Sequence, residues 1–354
     1  MQIEPFALER WFDRVEHDAD VMLAESGVRS LPSSAFDTDP GNLGYVIPTN
    51  GDPEFRAQIG SRHGRNADET LFTCGTQEAN LLGFLALMGT HAVVVTPTYG
   101  ALTEIPRAFG EVTEVPLDPP TWELDPDAVL DAIRPDTTVV VINNPNNPTG
   151  RYHGESVMRT VYDGCADRDV YLLCDEVYRL LATDPHPPVA SFGEYGLSTG
   201  GVSKAFGLAG LRFGWLSGST EIVEPATKWK DYTTISPGIF GQYVAEQAID
   251  RETELLDRNR ELAEDHRRIV DEFLNTHGLP WYEPDCSVNG FPRIPAGFES
   301  GRAFCRQLFE EESVVLAPGD AFGRPDRFRI GYGLHRTDLL KGLDRLKAFL
   351  ERHG

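Results

Sequence analysis

Lys204 lies inside the stretch GGVSKAFGLAGLRFGW, residues 200–215, in a chain of 354 residues that holds only five lysines. Arg212 follows in the same stretch. A lysine is ordinarily a solvated surface charge. A phosphate cradle is a second role, but the P-loop spacing is absent. The third role is covalent: a desolvated amine beside a cation loses its proton and attacks a carbonyl. Three further stretches carry groups that such chemistry needs. VINNPNNPTG (141–150) ends an apolar run in asparagines and prolines, which stiffen a turn and aim an amide at a ligand. LLCDEVYRL (172–180) places Asp175 and Tyr178 just past an apolar run, where a buried carboxylate needs a cationic partner. FTCGTQEANLLGFLAL (72–87) leads through Gly75, Thr76 and Gln77 into a helical pattern, and helix N-termini bind anions.

An anion site, a hydroxyl partner, a buried carboxylate and a nucleophilic lysine together suit a pyridine cofactor with a phosphate arm. The elements that must position them are legible. HAVVVTP, TTVVVINN and VYLLCDEVY are continuous apolar runs of strand length, the pattern of a mostly parallel sheet with helices on both faces. Ligands of such sheets gather beyond the carboxyl ends of the strands. The fold class expected is therefore α/β, a mostly parallel mixed sheet flanked by helices, with a smaller α+β domain. Residues 1–40 read as a helix and arm, 41–245 as the large cofactor-binding domain and 246–354 as the small C-terminal domain. The periodicity predicts a helix over about residues 5–25, with Phe6, Leu8, Trp11, Phe12, Val15 and Met22 as its apolar contacts, packing with the small domain. The small domain would hold a long charged helix ending at Gly278, short strands in NGFPRI, SVVLAP and RFRIGYG, and a closing helix from Arg336.

Charge and cysteines bound the partners. A formal charge of −23 repels nucleic acid and anionic membranes, so neither is expected as a partner. Scattered acids with scarce lysine suit solubility in a salty cytosol, and an ordinary acidic enzyme is the plain alternative. Five cysteines without CxxC spacing fit neither a disulfide framework nor a metal site, which leaves reduced thiols in a cytoplasm. The first residues lack a signal-peptide pattern, and no stretch has the apolar length of a membrane span.

In this order, NPNNPTG, DEVY and SKAFGLAGLRFGW resemble the pyridoxal-phosphate aminotransferases of class I and II, fold type I, across nearly the whole chain. The resemblance implies a homodimer with shared active sites, acting on amino acids and 2-oxo acids with pyridoxal 5′-phosphate as cofactor. Lys204 would form the Schiff base and then move the Cα proton. Asp175 would pair with the pyridinium nitrogen. Tyr178 and Asn147 would bond the ring's 3-oxygen, and Tyr99, otherwise a core tyrosine, would stack on the ring. Backbone N–H groups of Gly75, Thr76 and Gln77 would hold the phosphate with Arg212, while Tyr45 would reach the phosphate of the neighbouring subunit. Arg329 would grip the substrate's α-carboxylate, with Asn147 beside it; Arg327 shares that strand face if the strand is regular. The family's hydroxyl three positions before the lysine is Gly201 here, which leaves Ser198, Thr199 or Thr234 of the partner subunit to replace it. LERWF, ESGVRS, KDYTTIS, NGFPRI and APGDAFGRPDRFRIGYG also resemble capreomycidine synthase, a cyclising member of the family. A cyclase or lyase acting on an arginine derivative is the alternative this implies. A DNA-binding regulator is disfavoured by the charge.

Overall fold

The apolar runs build one seven-stranded sheet in a computed structural model that describes residues 3–353. Its strands are β1 (Thr70–Thr73), β2 (His91–Thr96), β3 (Glu111–Pro116), β4 (Thr137–Asn143), β5 (Tyr171–Asp175), β6 (Gly196–Gly201) and β7 (Gly214–Ser217). They lie in the order β1-β7-β6-β5-β4-β2-β3, and only β7 runs against the rest. Residues alternate between two cores. Val93, Val95, Val140, Ile142 and Leu172 enter one, while Ala92, Val94, Val139, Val141 and Leu173 enter the other. Both faces are covered, so the sequence shows unbroken apolar runs instead of alternation. Each such side chain taken out of water contributes about 1.5–3 kcal/mol. The edge strand β3 is half exposed and carries Glu111 and Glu114, charges that discourage pairing with another sheet.

The N-terminal segment departs from the single helix expected over residues 5–25. Helix α1 spans Ala7–Val15 only, and Val21–Met22 instead form a strand parallel to Val314–Val315. The backbone N–H groups of Asp20 and Val21 donate to Ser313 O. Local helical periodicity loses here to a tertiary pairing that satisfies both backbones. Trp11 anchors α1: it is 5% exposed and its indole N–H donates to Leu316 O at 2.9 Å. The helix thereby packs on the C-terminal part of the chain while Leu8, Glu9 and Phe12 border the cavity described below.

Beyond the sheet, helix Ile239–Asp250 contains residue 245 and is followed at once by the 25-residue helix Glu252–Thr276. Three short antiparallel strands (Ala317–Pro318, Phe328–Gly331 and Asn289–Gly290) pack with helices Gly301–Glu312 and Arg336–His353. Ser300 caps the first of these by accepting from Ala303 N at 3.1 Å. The strand Phe328–Gly331 carries Arg329 toward the large sheet.

Truncating a buried aromatic costs about 3–5 kcal/mol. In Trp11→Ala, the amides of Ala7–Val15 are expected to exchange on the order of a hundredfold faster, with β4 and β5 unchanged. Unaltered exchange in α1 would show that Trp11 does not hold the helix down.

Candidate active site

The carboxyl ends of β4, β5 and β6 bring Asn143, Asp175 and the loop carrying Lys204 to one side of the sheet. They border a cavity of about 310 Å³, which Tyr99, Asn147, Tyr178 and Arg329 also line. Lys204 Nζ donates to Ser26 Oγ at 2.9 Å. Asp175 is 5% exposed; its Oδ2 accepts from Asn80 Nδ2 at 2.8 Å and its Oδ1 from Val177 N at 3.2 Å. Burial pushes the Asp175 carboxyl up, and the Asn80 bond, the Val177 N–H and the nearby Lys204 pull against that.

The asparagine–proline stretch is held by its own side chains. Asn143 donates to Asp175 O at 2.9 Å and accepts from Asn147 N at 2.7 Å. Asn146 donates to Pro97 O at 3.0 Å and accepts from Thr149 Oγ1 at 2.7 Å. The loop is thereby fixed, and Asn147 presents its Oδ1 to Arg329 Nη1 at 3.0 Å. Arg329 Nη2 donates to Ala24 O at 2.7 Å, while its buried Nε has no partner. A buried guanidinium with a spare donor is suited to a carboxylate ligand.

Helix α2 (Gly75–Leu87) points its N-terminus at the same cavity. Gly75 has φ +77, and a Cβ there would lie 2.5 Å from Arg212 Nη2, so the guanidinium rests directly against the backbone. At Gly201 an added Cβ would lie 2.8 Å from both Thr76 Oγ1 and Phe213 O, which leaves no room for a hydroxyl side chain. The expected substitutes are engaged elsewhere. Ser198 Oγ accepts from Ala190 N, Thr199 Oγ1 donates to Asn80, and Thr234 is bonded within its own chain to Glu78 and Lys230. Thr76 Oγ1 remains, buried beside Gly201 without a partner, as does Ser203 Oγ. Unpaired buried donors at a helix N-terminus next to an arginine are what a phosphate would satisfy, so the residues fit pyridoxal phosphate. Beneath them Lys230 pairs with Glu78 at 3.3 Å, both buried.

Other sites of interest are spread differently. Gln77 lines the cavity. Tyr99 meets Phe6 edge-on at 5.0 Å, and burial pushes its phenol up. The Tyr178 hydroxyl donates to Ser26 O at 2.9 Å. Tyr45 is 70% exposed and outside the cavity. Arg327 does not share the site with Arg329: it lies over Trp122 at 4.7 Å and donates to Phe291 O. Ser26, Asn80, Ser203 and the acidic border of Glu9, Glu16 and Glu25 were not legible as site residues. For Asn80 a signal existed, since it follows Thr76 by one helical turn and shares its face.

Next to Asp175, the buried Glu176 carboxyl is pushed up from 4.5 to about 7 by burial, against the pull of Arg179 at 3.4 Å. A carboxyl raised in the folded state takes up protons on folding between those values. Its contribution therefore lowers stability as pH rises from 4.5 to about 7 and levels off above. Tm measured against pH for wild type and Glu176→Gln should differ by that slope; parallel curves would refute it.

The family model described as "Aminotransferase class I and II" matches residues 23–346. Among curated relatives, an aspartate aminotransferase of Bacillus subtilis is 26% identical, covering 94% of this chain and 88% of its own length. Capreomycidine synthase of Streptomyces vinaceus is 30% identical, covering 98% and 94%. The crystal structure of a PLP-dependent aminotransferase from Streptococcus suis superposes with a TM-score of 0.94 at 29% identity, over 100% of this chain and 99% of that one.

Proposed function

The chain belongs to the class I and II aminotransferases and is a pyridoxal-phosphate-dependent enzyme; on that premise we propose the residue roles, the assembly and the substrate preference that follow. The observation that carries the roles is the convergence of Lys204, Asp175, Arg212 and Arg329 on one cavity. Bound there, pyridoxal phosphate supplies an aldehyde that an amine can hold and a ring that withdraws electrons from the substrate's Cα. Arg212, the α2 N-terminus and the Thr76 hydroxyl hold the phosphate. Asp175 keeps a proton on the ring nitrogen, and Tyr99 covers the ring. Arg329 and Asn147 bind the α-carboxylate, which orients the Cα–H bond toward Lys204. The Lys204 amine then takes that proton and returns it one position away. Tyr178, with its hydroxyl at the cavity wall, supports the ring oxygen.

A homodimer is part of this reading. Leu43, Tyr45 and Ile47 are 71%, 70% and 82% exposed, and Tyr232 is 87% exposed. Asp52 N bonds Gln242 Oε1, which ties this arm to helix Ile239–Asp250, where Phe240 is also exposed. Apolar groups so exposed favour burial against a second copy, and Tyr45 on that arm would reach the partner's phosphate. The cysteines are all unpaired, and a reducing cytoplasm is the compartment proposed. No helix among the described residues is long and apolar enough to cross a membrane.

A cyclase or lyase acting on an amino acid is the second reading, favoured by the acidic border. Glu9, Glu16 and Glu25 line the cavity together with Lys204, Arg212 and Arg329, so no cation beyond the three already given roles meets them among its lining residues. A substrate with a positively charged side chain suits this border, and a second carboxylate does not.

Borohydride reduction of the holoenzyme should fix the cofactor on the Lys204 peptide. Lys204→Ala should lose that adduct and about 10²–10⁴-fold or more in kcat. A wild-type protein that binds no pyridoxal phosphate sinks the reading. Given an amino acid alone, a transaminase should stop at one 2-oxo acid per site; continued turnover marks a lyase or cyclase.

A further inference from the structure

The relay behind Asp175 carries more than its place in the wall. Asp175, Asn80 and Thr199 are 5%, 1% and 0% exposed and come from β5, α2 and β6. Asn80 Nδ2 donates to Asp175 Oδ2 at 2.8 Å, and Thr199 Oγ1 donates to Asn80 Oδ1 at 2.6 Å. The direction of this chain follows from chemistry. A carboxylate only accepts, so the amide nitrogen must face Asp175. The amide oxygen then faces Thr199 and only accepts, so the hydroxyl proton points to Asn80. The amide cannot flip without placing oxygen against carboxylate and N–H against a hydroxyl that must turn.

The other Asp175 oxygen accepts from Val177 N at 3.2 Å. Both oxygens are thus met by donors, which favours the ionised form, and each oxygen keeps a second lone pair. We propose that Asn80, locked by Thr199, is the positioning residue that keeps Asp175 ionised and aimed, so that the proton shared with the cofactor's ring nitrogen stays on nitrogen. This rests on the pairing of Asp175 with that nitrogen proposed above.

Burial opposes the charge on Asp175, and the Asn80 bond is the foremost of the influences that favour it. The other titratable groups facing Asp175 are Lys204 from the loop after β6, Tyr99 from beyond β2, Cys174 on its own strand and Glu176 just past that strand. Tyr99, Cys174 and Glu176 add no positive charge. Lys204 does, but its charge changes as it exchanges protons with substrate. The Asn80 dipole is constant, fixed at both ends, and costs no reorganisation during the reaction. A leucine would fill a similar space, so packing alone does not call for the amide.

The test uses holoenzyme carrying ¹⁵N-labelled pyridoxal phosphate, with the ring-nitrogen signal followed by NMR from about pH 6 to about pH 9. Wild type should keep the nitrogen protonated well into that range. Asn80→Leu should lower the nitrogen's pKa by about one to two units, the worth of a hydrogen bond to a charged group. Thr199→Val, nearly isosteric, should shift it the same way by less. Thermal melts establish that each variant folds, and Thr199→Val decides alone if Asn80→Leu does not. Asp175→Asn separates the two claims. If it leaves the nitrogen protonated, the assignment of Asp175 itself fails. If it removes the proton while the folded relay variants titrate as wild type, the relay is overturned and the active-site reading stands.

Discussion

A carboxylate held almost wholly out of water is the constraint on which this structure turns. Asp175 at the end of β5 is expensive to bury as an ion; burial pushes its carboxyl up, and its surroundings oppose that push. Asn80 and the Val177 N–H supply donors, and Lys204 supplies a charge. Asn143, from the neighbouring strand, donates to the Asp175 backbone oxygen and fixes the asparagine–proline loop that carries Asn147. Asn147 in turn holds Arg329, which arrives from the far end of the chain. Arg329 and Asp175 are therefore connected through a few hydrogen bonds, and Lys204 faces the same buried carboxylate through its charge.

The Arg212 end of the cavity is built on a different principle. Here the backbone comes close because glycines allow it: Gly75 admits the Arg212 guanidinium, and Gly201 admits the Thr76 hydroxyl. The glycine at 201 is explained by that close approach. The Thr76 hydroxyl could turn aside for a side chain at 201, but the backbone oxygen of Phe213, 2.8 Å from an added Cβ, could not. Below, the buried Glu78–Lys230 pair is neutral overall and ties helix Thr220–Lys230 to the first turn of α2. Breaking one partner of such a pair leaves an uncompensated charge, so it pins the helix end in place.

Much of the fold could be read directly. The runs at 91–96, 137–143 and 171–175 became strands, because apolar residues that leave no polar face must be covered on both sides. Lys204 and Asp175 were legible as chemistry and Arg329 through the family resemblance, and all three lie on one cavity. Residues 19–25 were misread as helix, since the partner of Val21–Met22, Val314–Val315, lies nearly three hundred residues away. Arg327 and Arg329 could not be told apart by alternation, because the regular strand begins only at Phe328 and Arg327 turns to Trp122. Glu9 and Glu16 reach the site with α1 and Ser26 with the segment after Val21–Met22, which is tied to the C-terminal strands, and no spacing announces that.

The sequence by itself determined the layered α/β class and singled out Lys204 and Asp175 as candidate chemistry for a pyridine cofactor. These depend on residue type and short-range periodicity, which are properties of a few neighbours in the chain. Tertiary structure alone decided which hydroxyl stands beside Gly201, which amide bonds Asp175 and which acids border the mouth. Those are settled by distances between residues remote in sequence, where a few tenths of an ångström separate a hydrogen bond from a clash.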